Sequence, residues 1–499
     1  MTDQSPTDTD GPRLSRREFL RSSGAYAGAA ALSGLSTAGC RTGPRRPNVL
    51  WIMTDEQRPD SLGCYGSSWA KTPAIDGLAR RGVLMQNAVC QAPICVPSRA
   101  SQFAALYPQE CGALATADAQ HGFPTGTITF TDILREAGYE LVNLGKTHSP
   151  AHPTWHVSEG PVLLPRYAGY YDLNEAYSEE AHHVIKRPGG TPIILAGTYP
   201  VAEGHPSQIL TDRAIDALRA RSDPQKPFLL RVSHNWPHTP VLAPPPFDQL
   251  YDPDEIPIVF FDEEAYRGRS RYDRSIADTM RMRELSRTQI RQMWKDYYGL
   301  CACVDHEVGR LLRALDDLGL AEDTVVLFQS DHGKSLGEWG SGEKGTFDSE
   351  VWRVPFIWSA PALGLEQGAV REDPCESIDT ARTLLTLLGL EERIPADFRG
   401  RDLFGASPAP DAVFGQWGFR QMRCGVRTTR HRMDVTWSEQ GRRVEPSELD
   451  GNLFDLQRDP QERTNLYEDA NHASVRRQLL EQLEAWDSTL RPFDVELRA

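Results

Sequence analysis

The chain has 499 residues, 39% hydrophobic and 25% charged, enough for one large α/β domain and a smaller one in a globular fold. Its net charge of −15 excludes a general binder of nucleic acid or of anionic membranes, because such a surface repels both. A local anion site is not excluded, since a positive pocket can sit in a negative surface.

Residues 1–40 read as an address rather than as fold. Ser15-Arg16-Arg17-Glu18-Phe19-Leu20 is followed by a mildly apolar Gly/Ala-rich run from Gly24 to Gly39, the form of a twin-arginine export signal. The run is too short and too mild for a transmembrane span. Thr37-Ala38-Gly39-Cys40 closes it like a lipoprotein cleavage box, which would leave Cys40 lipidated; Thr37 stands where a branched apolar residue is usual, so plain cleavage is the alternative. The expectation is a periplasmic or other extracytoplasmic protein, touching a membrane only through a lipid anchor on Cys40. Nine cysteines would suit a few disulfides there, or equally buried thiols, and no paired Cys-x-x-Cys zinc pattern occurs.

After a basic linker at 41–47, Asn48–Met53 is a continuous apolar run, the pattern of a strand buried on both faces of a parallel sheet, and it stops at Thr54-Asp55-Glu56-Gln57. Ala100–Leu106 is helix-like, and Tyr139–Leu144 and Phe228–Val232 read as further inner strands. Residues 151–206 and 244–277 show no period and are expected to be irregular insertions. Tyr297–Leu318 places Leu300, Val304, Val308, Leu311 and Leu315 on one helical stripe. Thr324–Phe328 is another buried strand, stopping at Ser330-Asp331-His332-Gly333. This alternation predicts an α/β fold with a large, mostly parallel sheet sandwiched by helices. From about Arg399 the texture changes to short alternating segments (Gly425–Thr436), then Asn452–Leu456 and an amphipathic helix at Ala473–Trp486. The expected organisation is therefore a catalytic domain at 48–398 and a smaller α+β subdomain, an antiparallel sheet plus a helix, at 399–499.

Ligands of open parallel sheets sit beyond the carboxyl ends of the strands. Asp55 and Glu56 leave one such end and Asp331 and His332 another; if the two strands are neighbours, three carboxylates and an imidazole meet. Such a cluster needs a cation, and hard oxygen donors favour calcium, with magnesium or manganese as alternatives. Either pair by itself could equally cap a loop or a helix.

Cys95-Val96-Pro97-Ser98-Arg99 decides between these readings, because it resembles the Cys-x-Pro-Ser-Arg signature of the sulfatase family, a formylglycine-dependent branch of the alkaline-phosphatase-like superfamily. Thr54–Arg58 with Leu62–Gly66 resembles that family's metal loop, and Thr72–Ala79 its first surface helix. Gly145-Lys146-Thr147-His148 is similar to its Gly-Lys-x-His element, Ser233–Pro240 to the segment carrying a histidine to the leaving oxygen, and Gly342–Thr346 to the second lysine element.

The resemblance implies that a formylglycine-generating enzyme oxidises Cys95 to an aldehyde, whose hydrate attacks sulfur and later expels sulfate. It implies Arg99 as a holder of the nucleophile and metal ligands, Lys146 and Lys344 on the sulfate, His148 at the diol, and His238 rather than His234 at the leaving group. It implies Asp55, Glu56, Cys95, Asp331 and His332 around the cation. Two departures stand out: Glu56 where many members have Asp, and His332 where many have Asn, the latter shared with phosphonate monoester hydrolases. The expected activity is hydrolysis of a sulfate ester on a small molecule or glycan. The alternatives are a phosphonate monoester or phosphodiester hydrolase with the same apparatus, and a lipoprotein that binds sulfated glycans without turnover. His152, Trp155, His156 and Arg166 are the expected pocket-shaping residues.

Overall fold

The computed structural model describes residues 46–152, 183–185, 193–199 and 201–491. The expected export signal, Cys40, Trp155, His156 and Arg166 lie outside them. A seven-stranded sheet runs edge to edge through Ala369–Glu376, Val83–Val89, Phe356–Ser359, Thr324–Ser330, Asn48–Thr54, Phe228–Ser233 and Glu140–Gly145. All neighbours pair in parallel except Phe356–Ser359, which is antiparallel to both of its partners. Asn48–Thr54 and Thr324–Ser330, the two apolar runs, are adjacent and in register from Asn48 opposite Thr324 to Thr54 opposite Ser330. Every residue of both strands is buried, which is why they lack the alternation of a half-exposed strand.

Helices cover both faces. The longest, Arg287–Asp317, starts at a capping box in which Ser286 accepts from the Gln289 N–H and Gln289 accepts from the Ser286 N–H. It is ten residues longer at its N-terminal end than the stripe from Tyr297 suggested. Its Asp305 carboxylate accepts the N–H groups of Ala74 and Ile75, capping the helix Pro73–Arg80 from outside. On the opposite face Trp51 packs edge-on against Phe103 and tilted against Phe130.

The structure corrects two local expectations. Residues 244–277 are not wholly irregular: Glu263–Gly268 and Arg271–Met280 are helices, started by the Asp262 and Ser270 side chains accepting from Ala265 and Asp273 N–H. The helix expected after the Cys95 motif begins at Cys95 itself and ends at Ala104, because Ile94 in extended backbone serves as its N-cap residue.

Val413–Trp417, Gln421–Arg427, His431–Glu439, Arg442–Arg443 and Gly451–Asp455 form the antiparallel sheet of the C-terminal subdomain. The helix Ala473–Asp487 buries Leu479, Leu483 and Trp486 in the same core. Trp486 stacks on Phe414 and meets Tyr107 edge-on, tying this sheet to the end of the Cys95 helix segment. The eight described cysteines are all free thiols, seven of them buried. Among the described residues no helix is long and apolar enough to cross a membrane.

Candidate active site

The site lies at the carboxyl ends of the two central strands, where the sheet's parallel order brings distant segments together. Asp55 follows Thr54, and Asp331 and His332 follow Ser330, so one strand pair delivers both carboxylates to the same point. Arg99, one turn into the Cys95 helix and fully buried, bridges them: Nη2 donates to Asp55 Oδ2 at 2.8 Å and Nε to Asp331 Oδ2 at 2.6 Å. Its Nη1 is spent on the Ser233 hydroxyl and the Lys146 carbonyl, each at 2.9 Å. Ser98 donates to the Asp331 carbonyl at 2.6 Å. Five segments are thereby locked before any ligand arrives.

Cys95, the first residue of its helix, points its Sγ into the middle of this cage. His332 Nε2 lies 3.1 Å from it, Lys344 Nζ 3.2 Å, Asp55 Oδ1 3.7 Å and Lys146 Nζ 3.8 Å. His148, whose backbone is left-handed at φ 42°, also acts on Cys95. Lys146 Nζ sits 2.6 Å from Asp55 Oδ2. His238 Nε2 is 2.9 Å from Lys344 Nζ, while its Nδ1 is 2.6 Å from the Thr239 carbonyl. His234 is buried with both ring nitrogens unpartnered, and burial pushes its pKa down to about 3. His238 is thus the histidine of that segment which reaches the cage.

The electrostatics share one cause. Burial would raise the Cys95 thiol, yet Lys146, Lys344 and His332, with His148 adding to their effect, hold it well below the ordinary thiol range. Burial would likewise raise Asp55 and Glu56; both stay well below the ordinary carboxylate range, Asp55 through Lys146, His238 and Arg99, Glu56 through His238, Lys334 and Lys344. His332, which burial would lower, is lifted to about 9 by Asp331 and the Cys95 sulfur. Burial lowers His148, with Lys146 adding to the effect. Position 95 therefore lies in a field that welcomes negative charge, as a site for an anionic ester requires.

The donor set suits a hard divalent cation. Ligand atoms of Asp55, Cys95, Asp331 and His332 all lie within 4.8 Å of one another, and so do those of a second group, Asp55, Glu56 and His238. Two carboxylates, an imidazole and an oxygen at position 95 would match calcium, magnesium or manganese. Sequence reasoning missed Lys334, whose ammonium is fully buried between Glu56 and Glu343. Its place directly after Asp331-His332-Gly333 was the available signal, but a lysine there reads as solvated. His152 stands apart: it pairs with Asp132 and lines a separate cavity of about 480 Å³ with Ile128, Arg135 and Arg393, which no cage residue lines.

The sequence profile of the sulfatase family matches residues 47–390. The chain belongs to the sulfatase family. It is accordingly a sulfuric ester hydrolase on the alkaline-phosphatase-like fold. Among curated relatives, an N-acetylglucosamine-6-O-sulfatase of Bacteroides thetaiotaomicron is 24% identical over 91% of this sulfatase and 89% of its own length. Human iduronate 2-sulfatase is 29% identical over 63% of this sulfatase and 60% of its own length. Of solved structures, the phosphonate monoester hydrolase of Agrobacterium radiobacter superposes with a TM-score of 0.73 at 24% identity, covering 89% of this sulfatase and 96% of that chain. A protein in complex with its substrate D-glucosamine-2-N,6-O-disulfate superposes at 0.67 and 21% identity, covering 89% and 98%. These structures share the fold of this sulfatase.

Proposed function

We propose that this enzyme hydrolyses a sulfate ester on a carbohydrate, with position 95 as nucleophile and a divalent cation held by Asp55, Asp331, His332 and the group at position 95. The observation that carries the reading is the convergence of Lys344, His332 and Lys146 within 3.8 Å of one buried side chain. Oxidised to formylglycine by a maturation enzyme and hydrated, that side chain supplies a hydroxyl nucleophile whose sulfate ester is released by elimination. The cation supplies Lewis-acid polarisation of the ester oxygens.

The chain's own residues do the rest. Lys146 and Lys344 place their ammonium groups where charge grows on the sulfuryl oxygens, a preorganised electrostatic contribution. In the first turn of the Cys95 helix Pro97 has no N–H and Ser98 N–H goes to the Ile94 carbonyl, which leaves the Cys95 and Val96 N–H groups for an anion. His148, kept neutral by burial and Lys146, accepts a proton at position 95. His238, oriented through Nδ1 by the Thr239 carbonyl, offers Nε2 to the departing oxygen. The carbohydrate assignment rests on the glucosamine and iduronate sulfatases among its relatives. Export through the twin-arginine route, with or without a lipid anchor on Cys40, completes the proposal.

A second reading has its own support: His332 and the phosphonate monoester hydrolase neighbour both suit phosphonate or phosphodiester cleavage. Paired rates on aryl sulfate and aryl phosphonate separate the two. A higher kcat/KM on the sulfate supports the proposal, and a higher value on the phosphonate replaces it. Loss of turnover on sulfated sugars, with small aryl sulfates cleaved, would remove the carbohydrate.

A further inference from the structure

Glu56 stands where a cation ligand is expected, yet both of its oxygens are taken by nitrogen. Lys334 Nζ lies 2.7 Å from Oε2; Lys344 Nζ lies 2.5 Å and His238 Nε2 3.3 Å from Oε1. Lys334 is 0% exposed and reaches Glu343 Oε1 at 2.6 Å with the same ammonium. Glu343 in turn accepts from the Thr239 hydroxyl, beside His238. Glu56 and Glu343 both have left-handed backbone, φ 62° and 71°, where a side chain other than glycine is strained. The strain lets two glutamates from distant segments face one buried lysine. Asp55, by contrast, meets Arg99 and Lys146 through Oδ2 and turns Oδ1 toward Cys95.

A divalent cation on Glu56 would stand against two ammonium groups in a water-poor site, where like charges repel strongly. The Glu56 carboxylate is instead spent on these lysines. We propose that Glu56 is a positioning residue for Lys344 and His238 rather than a cation ligand, and that Lys334, with Glu343, is the buried counter-charge that fixes it there. This rests on the reading above that the cage binds a cation and an anionic ester. The Lys334–Glu56 coupling itself needs neither.

The test has two arms. In the metal-free chain, melting temperatures of wild type, Glu56→Gln, Lys334→Met and the double variant form a cycle. Lys334→Met takes the ammonium from Glu343 and from Glu56 Oε2 and should lower the melting temperature by several degrees, and adding Glu56→Gln should restore part of that loss. Strictly additive effects would overturn the pairing, whatever ester the enzyme cleaves.

In the second arm, Ca2+ alone is titrated into wild type, Glu56→Gln and Asp55→Asn, and aryl sulfate kinetics are run alongside. Glu56→Gln should bind Ca2+ within about threefold of wild type while kcat falls about 10- to 100-fold, and Asp55→Asn should lose Ca2+ binding by more than about tenfold. Equal loss of Ca2+ affinity in Glu56→Gln and Asp55→Asn would make Glu56 a ligand and overturn the proposal. A wild type that binds no Ca2+ and cleaves no sulfate would instead count against the function, with the melting cycle still deciding the Lys334–Glu56 pair.

Discussion

At the carboxyl end of the central sheet, Lys344, His332 and Lys146 converge on one sulfur. At the seam with the C-terminal sheet, by contrast, the buried Arg432, Arg269 and Arg423 are matched to carboxylates. Arg432 donates to Asp434, to Asp348 at 3.0 Å and to Glu462 at 2.7 Å. Arg269 pairs with Asp348 and the Glu462 carbonyl, and Arg423 with Asp434 and the Thr436 hydroxyl. Both networks are buried and highly charged, so neither burial nor charge marks function. The difference is closure. The seam closes on carboxylates already present; in the cage Lys146 and Lys344 also meet Asp55 and Glu56, yet both, with His332, face one further atom at position 95. Seam charges should therefore govern stability, and the charges that face position 95 should govern turnover.

The largest effect that would sharpen this contrast is at position 95. Cys95→Ala should lower aryl sulfate turnover by at least about 10³-fold with the thermal transition retained. Wild-type rates in that variant would remove the mechanism.

Arg432→Leu attacks the seam and leaves Asp348, Asp434 and Glu462 facing one another. Urea unfolding should show a loss of roughly 3–5 kcal/mol, with kcat per folded molecule within about twofold of wild type. A large fall in kcat without loss of stability would erase the distinction between the networks.

Lys146→Ala is its mirror image: kcat should fall about 10²- to 10³-fold with little change in unfolding. A stability loss as large as that of Arg432→Leu would show the cage to be structural.

The smallest effect is a pH dependence at the seam. Burial, with Asp434 and Asp348 nearby, pushes Asp273 up to about 7, above its ordinary 3.8. Between these values the folded chain keeps a proton that the unfolded chain releases, so this group's contribution to stability declines as pH rises from about 4 to about 7. Relative to wild type, Asp273→Asn should gain roughly 2 kcal/mol in unfolding free energy between pH 5 and pH 8. No relative change would mean that Asp273 titrates normally.

Much of this was legible in the sequence, for definite reasons. Val49–Met53 and Val325–Phe328 are apolar without interruption, which only a doubly covered inner strand explains, and their adjacency put Asp55 beside Asp331 as expected. Strands nearer the sheet's other side were not anticipated: Val83–Val89 carries Gln86 and Asn87, Ala369–Glu376 is mostly exposed along its first half, and Phe356–Ser359 is only four residues long. Helices in the segment expected to be irregular escaped notice because charged residues hide a short apolar face whose partner, Trp339, lies far along the chain. Lys334 was invisible for the same physical reason. A buried lysine is recognisable only through its counter-charges, here Glu56 and Glu343, and the first of these is 278 positions away.

The central claim is that position 95 is the nucleophile of this sulfatase, and mass spectrometry of the tryptic peptide Gly82–Arg99 from protein purified out of its native host tests it most directly. An aldehyde or its hydrate at position 95 is the predicted result. An unmodified cysteine in active protein would contradict the account, because the cage would then be built around a group that performs no formylglycine chemistry.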